Sequence, residues 1–276
     1  MTDFFSSTRP GQKVFQGNLE FELPILYFRD DLFIMFLTGS YSRIKAAMPS
    51  PHLHPVSLFG GKALVGIAAF NYFDTSIGPY GEIGVVLPAV YAHKPPPPVL
   101  PGFLESKYPG FGILVMHLPV TKADARDAGR GEWGYTKFLA DMKFVNTPEF
   151  HQVEMAEGPR HILTLRVAKK GILKHDKKPL VTYSVRNRSL IMTTISQKGI
   201  CRMSFSSKGS FLTLGDHEVS ETIRALGLSR KPIMTRYYME RSGILPAGQV
   251  IEKDVAPLDG YFGTDHEGKH ETHYFE

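Results

Sequence analysis

The stretch that decides the fold class is residues 62–73, Lys-Ala-Leu-Val-Gly-Ile-Ala-Ala-Phe-Asn-Tyr-Phe, followed by residues 82–90, Glu-Ile-Gly-Val-Val-Leu-Pro-Ala-Val. Both segments are rich in Val, Ile, Leu and aromatic residues and are bounded by Gly, Pro or Asp, which predicts β-strands. Segments of the same character recur along the chain at 32–37, 111–120, 162–168, 180–196 and 201–214.

Helical patterns are short and few. Residues 41–47 form one candidate, and residues 135–144 carry apolar side chains at helical spacing. Residues 218–226 form the best one, with Asp216 as the predicted N-cap and Gly227 after the last turn. Strands outnumber helices and do not alternate with them, which favours a mainly antiparallel sheet or barrel with helices at its edges.

Composition narrows the class of protein. The chain has 32 Lys and Arg against 27 Asp and Glu, and the resulting charge of +5 suits a small anionic ligand better than nucleic acid. The apolar runs are shorter than the ~18 residues of a membrane span, and a single cysteine, Cys201, excludes an intrachain disulfide. No internal repeat or linker is visible. We therefore predict a cytosolic protein with one domain over residues 1–276 and no membrane or nucleic-acid partner.

Two motifs match the spacing of known binding sites, but their sequence context does not support binding. Residues 129–134, Gly-Arg-Gly-Glu-Trp-Gly, match the dinucleotide pattern G-x-G-x-x-G, but the preceding segment is polar and not a strand, so we predict a plain glycine-rich loop. His266, His270 and His273 have a spacing that can bind zinc, but Gly268 among them favours a solvated tail. The sequence therefore predicts no metal and no cofactor.

Lys137 is the candidate reactive residue because it lies among Trp133, Tyr135 and Phe138. Apolar neighbours remove water from an amine and so favour its neutral, nucleophilic form. The alternative is a surface lysine that pairs with Asp141, four residues further along. Spacing alone favours this alternative.

The same stretch resembles the acetoacetate decarboxylase family. The family signature is Gly-Arg-Glu and then, after a few residues, an aromatic residue followed by Pro-Lys-Lys-Leu-Ala, whose first lysine forms a Schiff base. Gly129-Arg130 and Tyr135-Thr136-Lys137-Phe138-Leu139-Ala140 keep this order and spacing. The resemblance implies that Lys137 is the nucleophile.

Two further elements carry the resemblance. The family pattern Gly-x-Tyr-x-Glu, followed by Pro-Val-x-Tyr at the end of a strand, is similar to residues 78–82, Gly-Pro-Tyr-Gly-Glu, and residues 88–91, Pro-Ala-Val-Tyr. An arginine that opens a strand before a short helix is similar to Arg29 and the segment after it. Together the elements cover residues 27–145, about half of the chain.

The sequence departs from the family pattern at three places. Phe138 stands where the family has its second lysine, and Gly131 replaces the glutamate of Gly-Arg-Glu. The family's other active-site glutamate falls within residues 66–69, Gly-Ile-Ala-Ala, which contain no carboxylate. The Schiff-base position is kept while the groups around it are altered.

The resemblance implies a fold and a set of roles. The fold is mainly β, a closed antiparallel β-barrel or cone with a few edge helices, in a homo-oligomer. Lys137 is the expected nucleophile and Glu82 the expected proton carrier, and Arg29 is expected to hold a substrate carboxylate. The other predicted substrate contacts are Tyr80, Trp133 and Phe138.

Three functions remain open at this stage. Decarboxylation of a small β-keto acid is the first, since a protonated imine accepts the electron pair released with CO₂. An aldolase–dehydratase that uses a pyruvate-derived enamine is the second, favoured by Phe138 and the missing carboxylate. A non-catalytic ligand-binding barrel is the third. A buried Lys137 beside Glu82 and Arg29 favours an enzyme, and an exposed Lys137 favours the binding protein.

Overall fold

The computed structural model describes residues 4–6, 8, 11–16 and 19–264. The strands are β1 (Gln12–Gln16), β2 (Leu19–Leu23), β3 (Ile25–Ser40), β4 (Leu53–Pro55), β5 (Ser57–Leu58), β6 (Lys62–Thr75), β7 (Tyr80–Tyr91), β8 (Phe111–His117), β9 (Asp141–Asn146), β10 (Phe150–Glu157), β11 (Arg160–Ala168), β12 (Ile172–Asp176), β13 (Leu180–Arg186), β14 (Ser189–Ser204), β15 (Phe211–Leu214), β16 (Met234–Leu245) and β17 (Gln249–Lys253). The helices are α1 (Tyr41–Ala46), α2 (Leu100–Leu104), α3 (Ala123–Trp133) and α4 (Glu218–Ala225), with a 3₁₀-helix at Glu105–Lys107.

Within these residues, seven strands close into a ring in the order β7, β8, β13, β14, β16, β3 and β6, and β6 pairs with β7 to complete it. The predicted closed, mainly β barrel is confirmed. The barrel is mixed, however, because β8 and β13 run parallel, with Thr182 opposite Ile113. The expectation of a wholly antiparallel barrel is wrong at this one pair.

Strand alternation explains why the barrel strands carry so many apolar residues. On β7, Glu82, Gly84 and Val86 line an internal cavity, whereas Ile83 and Val85 between them belong to an outer apolar core. The outer core is closed by a second sheet of β9, β10, β11 and β15, together with α4. Because side chains of a strand alternate between its two faces, both faces of these strands are buried.

The first and last predicted helices are confirmed as α1 and α4. Gly227 follows α4 with φ of +68°, as expected of a residue just after a helix. The N-cap is His217 and not Asp216: its Nδ1 accepts a hydrogen bond from the Val219 N–H at 3.1 Å.

The predicted helix at residues 135–144 is wrong, and so is the predicted loop at 129–134. Residues 123–133 form α3, which ends at Gly134 with φ of +66°. The next residues are extended and run beside 118–120: Leu118 N–H donates to Thr136 O at 3.0 Å and Val120 N–H to Phe138 O at 2.9 Å. Burial of both sides of this extended segment produces the apolar spacing that resembles a helix.

Two predicted strands are each divided. The segment 180–196 turns at Asn187 and Arg188, both with positive φ, and becomes β13 and part of β14. The segment 201–214 is shared between β14 and β15. Within the described ranges, no helix is both long and apolar enough to cross a membrane.

Candidate active site

The extended segment after α3 directs Lys137 into the barrel. Tyr135, Lys137 and Leu139 face the barrel side, whereas Phe138 and Ala140 face the outer core. Lys137 is 4 % exposed, and its Nζ lies 2.5 Å from Oε2 of Glu82 on β7. The surface-lysine alternative, with Asp141 as the partner, is therefore wrong. A buried amine beside a buried carboxylate forms a pair that can exchange a proton.

Helix α3 positions the lysine through two of its residues. Gly129 packs against the aliphatic chain of Lys137 with no side chain of its own between them. Arg130 is buried and donates from Nε to the Lys137 carbonyl oxygen at 2.7 Å. It also donates from Nη2 to the Phe262 carbonyl, so one side chain ties the lysine segment to the chain near its C-terminal end. The Gly-Arg pair of the sequence motif thus fixes the position of the amine.

Buried tyrosines surround the Lys137–Glu82 pair. Tyr72 donates to Oε1 of Glu82 at 3.2 Å, and the Tyr27 and Tyr80 hydroxyls are 3.0 Å apart. Tyr135 bonds Thr182 at 2.8 Å. Burial raises the pKa of each phenol above its usual value, and the charge of nearby Glu82 adds to the effect. These hydroxyls therefore stay protonated and serve as hydrogen-bond donors.

The pair opens on a cavity of about 70 Å³ inside the barrel. One water molecule needs ~10–15 Å³ of such space, so this cavity suits a molecule of few heavy atoms. Its wall is mostly apolar or phenolic, and its charged members are Glu82, Lys137 and Arg241. A smaller space of about 10 Å³ lies beside the same lysine, lined by Tyr80 and Trp133 among others.

Arg241 on β16 forms a buried ion pair with Asp30 on β3. Its Nη1 donates to Asp30 Oδ2 at 2.7 Å, and its Nε donates to Gln197 Oε1 at 3.0 Å. Burial raises the pKa of Asp30 to about 6, although Arg241 acts against that change. Burial also opposes the charge of Arg241, but the Asp30 carboxylate raises the pKa of the guanidinium.

The structure brings together four of the six predicted site residues: Lys137, Glu82, Tyr80 and Trp133. Phe138 is fully buried in the outer core, where it contacts Tyr261 at a ring distance of 4.9 Å and does not line the cavity.

Arg29 is not in the site either. It is exposed and stacks on the Phe73 ring at 5.1 Å. Irregular pairing of β3 with β6 on both sides of Arg29 turns this side chain outward and its neighbour Asp30 inward.

Sequence reasoning missed Tyr27, Tyr72, Thr182 and Arg241. The alternation of Phe70 and Tyr72 on β6 is a usable signal, because both residues share the inner face with Ala68. Arg241 carries no such signal, since its strand was not predicted and its partner Asp30 is 211 residues away.

The three C-terminal histidines, His266, His270 and His273, lie outside the described residues. Among the residues that are described, no three His, Cys, Asp or Glu side chains converge in a way that suits a metal ion. The absence of a metal and of a cofactor stays a prediction.

A closed mixed barrel that buries a lysine against a glutamate is typical of proteins that hold a reactive amine in a mostly apolar cavity. The family model for acetoacetate decarboxylase matches residues 24–200. The chain belongs to the acetoacetate decarboxylase family. No curated protein matches it in sequence.

Several solved structures share the fold at low identity. Acetoacetate decarboxylase from Legionella pneumophila has a TM-score of 0.62 at 18 % identity, over 83 % of this chain and 88 % of that chain. The enduracididine biosynthesis enzyme MppR complexed with pyruvate has a TM-score of 0.60 at 12 % identity, over 83 % and 91 %. An acetoacetate decarboxylase-like enzyme from Sphingomonas wittichii has a TM-score of 0.57 at 11 % identity, over 84 % and 95 %.

Proposed function

We propose that the protein is a Schiff-base-forming lyase that decarboxylates a small β-keto acid, with Lys137 as its nucleophile. The observation that carries this proposal is the buried contact of 2.5 Å between Lys137 Nζ and Glu82 Oε2 at the wall of the barrel cavity. Burying an amine and a carboxylate costs several kcal/mol of desolvation even when they are paired, and ionisable groups buried together in a cleft are candidates for function. Membership of the acetoacetate decarboxylase family supports the same chemistry.

The residues present can carry each step. Nζ gives a proton to Glu82 and adds to the keto carbon, and loss of water leaves a protonated imine. The bond to the carboxylate carbon then breaks, its electron pair moves toward the imine nitrogen, and CO₂ and an enamine form. Protonation of the enamine carbon regenerates the imine, and water hydrolyses it to release the ketone and free Nζ. Tyr72, which donates to Glu82, orients this carboxylate through the cycle.

An aldolase–dehydratase is the second candidate. It uses the same imine with pyruvate, and the resulting enamine adds to an aldehyde before water is lost. Its support is the cavity wall at residues 66–69, where Ala68 lines the site and no carboxylate is present. MppR, which has been solved with pyruvate, shares the fold. The third candidate, a binding barrel without turnover, is disfavoured because Lys137 is buried and paired.

Borohydride trapping tests the proposal. The protein is reduced in the presence of a panel of β-keto acids and pyruvate, and the labelled peptide is identified by mass spectrometry. We expect one label, on Lys137. Labelling spread over Lys143, Lys169 and Lys170 would contradict a reactive Lys137. Release of CO₂ from β-keto acids supports the lyase, whereas condensation of pyruvate with an added aldehyde supports the second candidate.

A further inference from the structure

We propose that Arg241 binds the carboxylate of the substrate and restricts the site to small oxo acids with a single negative charge. This inference rests on the proposed function of Lys137, because it places the substrate in the same cavity. Arg241 lies on β16 at residues beyond the 24–200 match to the family model, so it belongs to the part of the barrel that the family pattern does not cover.

The guanidinium of Arg241 has unused hydrogen-bonding capacity. Its side chain is 3 % exposed and lines the cavity. Nε and Nη1 are taken by Gln197 and Asp30, whereas Nη2 has no acceptor among the residues that the structure describes. A guanidinium carries five N–H donors in a planar fork that matches a carboxylate. An anion in the cavity can therefore bind Arg241 without displacing its protein partners.

Among the charged residues that line the cavity, Arg241 is the cation that can bind the substrate carboxylate. The charged residues of the cavity wall are Glu82, Lys137 and Arg241. When Lys137 forms an imine, its nitrogen is bonded to the substrate's own keto carbon and cannot also hold the carboxylate. Glu82 repels an anion. Arg29, the residue that the sequence pattern suggested for this task, is exposed and outside the barrel.

Asp30 limits how tightly Arg241 holds the anion. It is fully buried, and its Oδ1 has no hydrogen-bond partner within the described chain. Two carboxylates then share one guanidinium, so the substrate carboxylate is held less firmly than by an unpaired arginine. Firm binding would stabilise the ground state of a group that has to leave as CO₂. A second negative charge on the substrate would find no further cation in this wall, which selects the monoanion.

The test compares acids with neutral ketones. For each compound, the concentration that gives half-maximal borohydride trapping at Lys137 is measured, with acetoacetate as the acid and its methyl ester as the neutral control. The Arg241→Gln, Asp30→Asn double variant removes both charges together and leaves no unpaired ion. We expect the preference for the acid to fall by about tenfold or more, the effect of one charge-assisted hydrogen bond. An unchanged preference overturns the proposal.

A second measurement does not depend on imine chemistry. Propionate and propionamide have no keto group, and their effect on Tm reports binding alone. We expect propionate to raise the Tm of the native protein more than propionamide does, and the double variant to lose this difference. Propionate stabilisation without any trapping means that the proposed function fails while the carboxylate site stands. Trapping without a preference for propionate means that the Arg241 proposal is wrong.

If the double variant does not fold, Arg241→Lys replaces it in the test. It keeps the positive charge beside Asp30 and loses the paired N–H groups, so we expect an acid preference between those of the native protein and a neutral site. If no variant folds, the native protein decides: equal Tm shifts with propionate and propionamide overturn the proposal.

Discussion

A methyl group on Gly129 would lie 2.3 Å from Cε of Lys137 and 2.5 Å from its Cδ. Contacts this short do not occur between carbon atoms, so the chain of Lys137 occupies the space that a side chain at position 129 would need. Glycine lowers the stability of a helix interior by up to ~1 kcal/mol relative to alanine. The glycine at position 129 inside α3 is explained by the Lys137 side chain, which passes over it to reach Glu82.

Gly129→Ala is expected to impair the reaction while leaving the helix intact. The new methyl group displaces the Lys137 chain, and a displacement of ~1 Å can lower turnover by about 100-fold. Borohydride trapping and turnover measure the effect. Asp127→Ala, a half-exposed position on the same helix, is the matched control and should keep both signals. Native trapping in Gly129→Ala would show that the lysine does not need this space.

Glu82→Gln is expected to slow turnover strongly and to preserve the fold. The amide keeps a hydrogen bond to Tyr72 but cannot take the proton of Lys137, and loss of a general base lowers rates by about 10²–10⁴-fold. The steady-state rate of CO₂ release measures it. Glu154→Gln, an exposed glutamate on β10, should behave as the native protein does. A rate that stays within about twofold of native would remove Glu82 from the mechanism.

Phe138→Ala is expected to act on stability and not on the site. Phe138 is fully buried among the apolar residues of the outer core, and truncation there costs ~3–5 kcal/mol. The pH–rate profile of the folded fraction should keep its midpoint, because the cavity wall is untouched. A shifted midpoint would instead connect Phe138 to the amine. Phe103→Ala, at a residue that is 77 % exposed, controls for loss of an aromatic ring.

Phe138→Lys restores the family's lysine pair in sequence but is not expected to place the second amine in the site. Position 138 faces the outer core, so the substitution buries an ammonium among apolar side chains. We expect Phe138→Lys to unfold at a lower denaturant concentration than Phe138→Ala does. Native stability with a shifted pH–rate profile would contradict this orientation.

His117 makes the fold sensitive to acid. Burial lowers the pKa of this histidine to about 4. Thr222 Oγ1 donates to Val219 O, so it accepts from Nε2 of His117, and Nδ1 has no partner within the described residues. Between pH 6.5 and 4 the unfolded chain binds a proton that the folded chain excludes. The free energy of unfolding is therefore not reduced by His117 above pH 6.5, and it decreases as the pH falls from 6.5 toward 4.

His117→Gln is expected to remove about 2.5 kcal/mol of that loss between pH 7.5 and 4.5, the part of the full shift that this pH interval covers. Urea unfolding at pH 7.5 and 4.5 measures the difference, with the exposed His175→Gln as control. If both variants lose as much stability on acidification as the native protein does, His117 is not the responsible group.

The sequence predicts six of the seven barrel strands at least in part and misses β16. The predicted strands are recognisable because their residue types form a local pattern. Segments such as 62–73 and 82–90 are buried on both faces, and a dense apolar run identifies them wherever they pair. The parallel pairing of β8 with β13, which helps to close the ring, could not be predicted from the sequence. It joins residues such as Ile113 and Thr182, which no local pattern connects.

The site was predicted where one short segment carries it and missed where distant strands meet. Lys137 and Trp133 lie within one motif, and Glu82 lies in a second recognisable one. Arg29 and Arg241 could not be placed correctly from the sequence. A local irregularity of β3 turns Arg29 outward, and the pairing of β16 with β3 places Arg241 at the cavity. Phe138 was misplaced because it follows Lys137 in sequence and takes the place of the family's second lysine. In an extended backbone, neighbouring side chains face opposite sides.

The bond from Arg130 to the Phe262 carbonyl spans 132 residues. During synthesis, the lysine segment and both of its supports in α3 emerge well before that carbonyl exists. Arg130 then holds the Lys137 carbonyl from one side only. The setting of the amine thus depends on a backbone carbonyl far along the chain, and a chain shortened before Phe262 would lose this contact of Arg130.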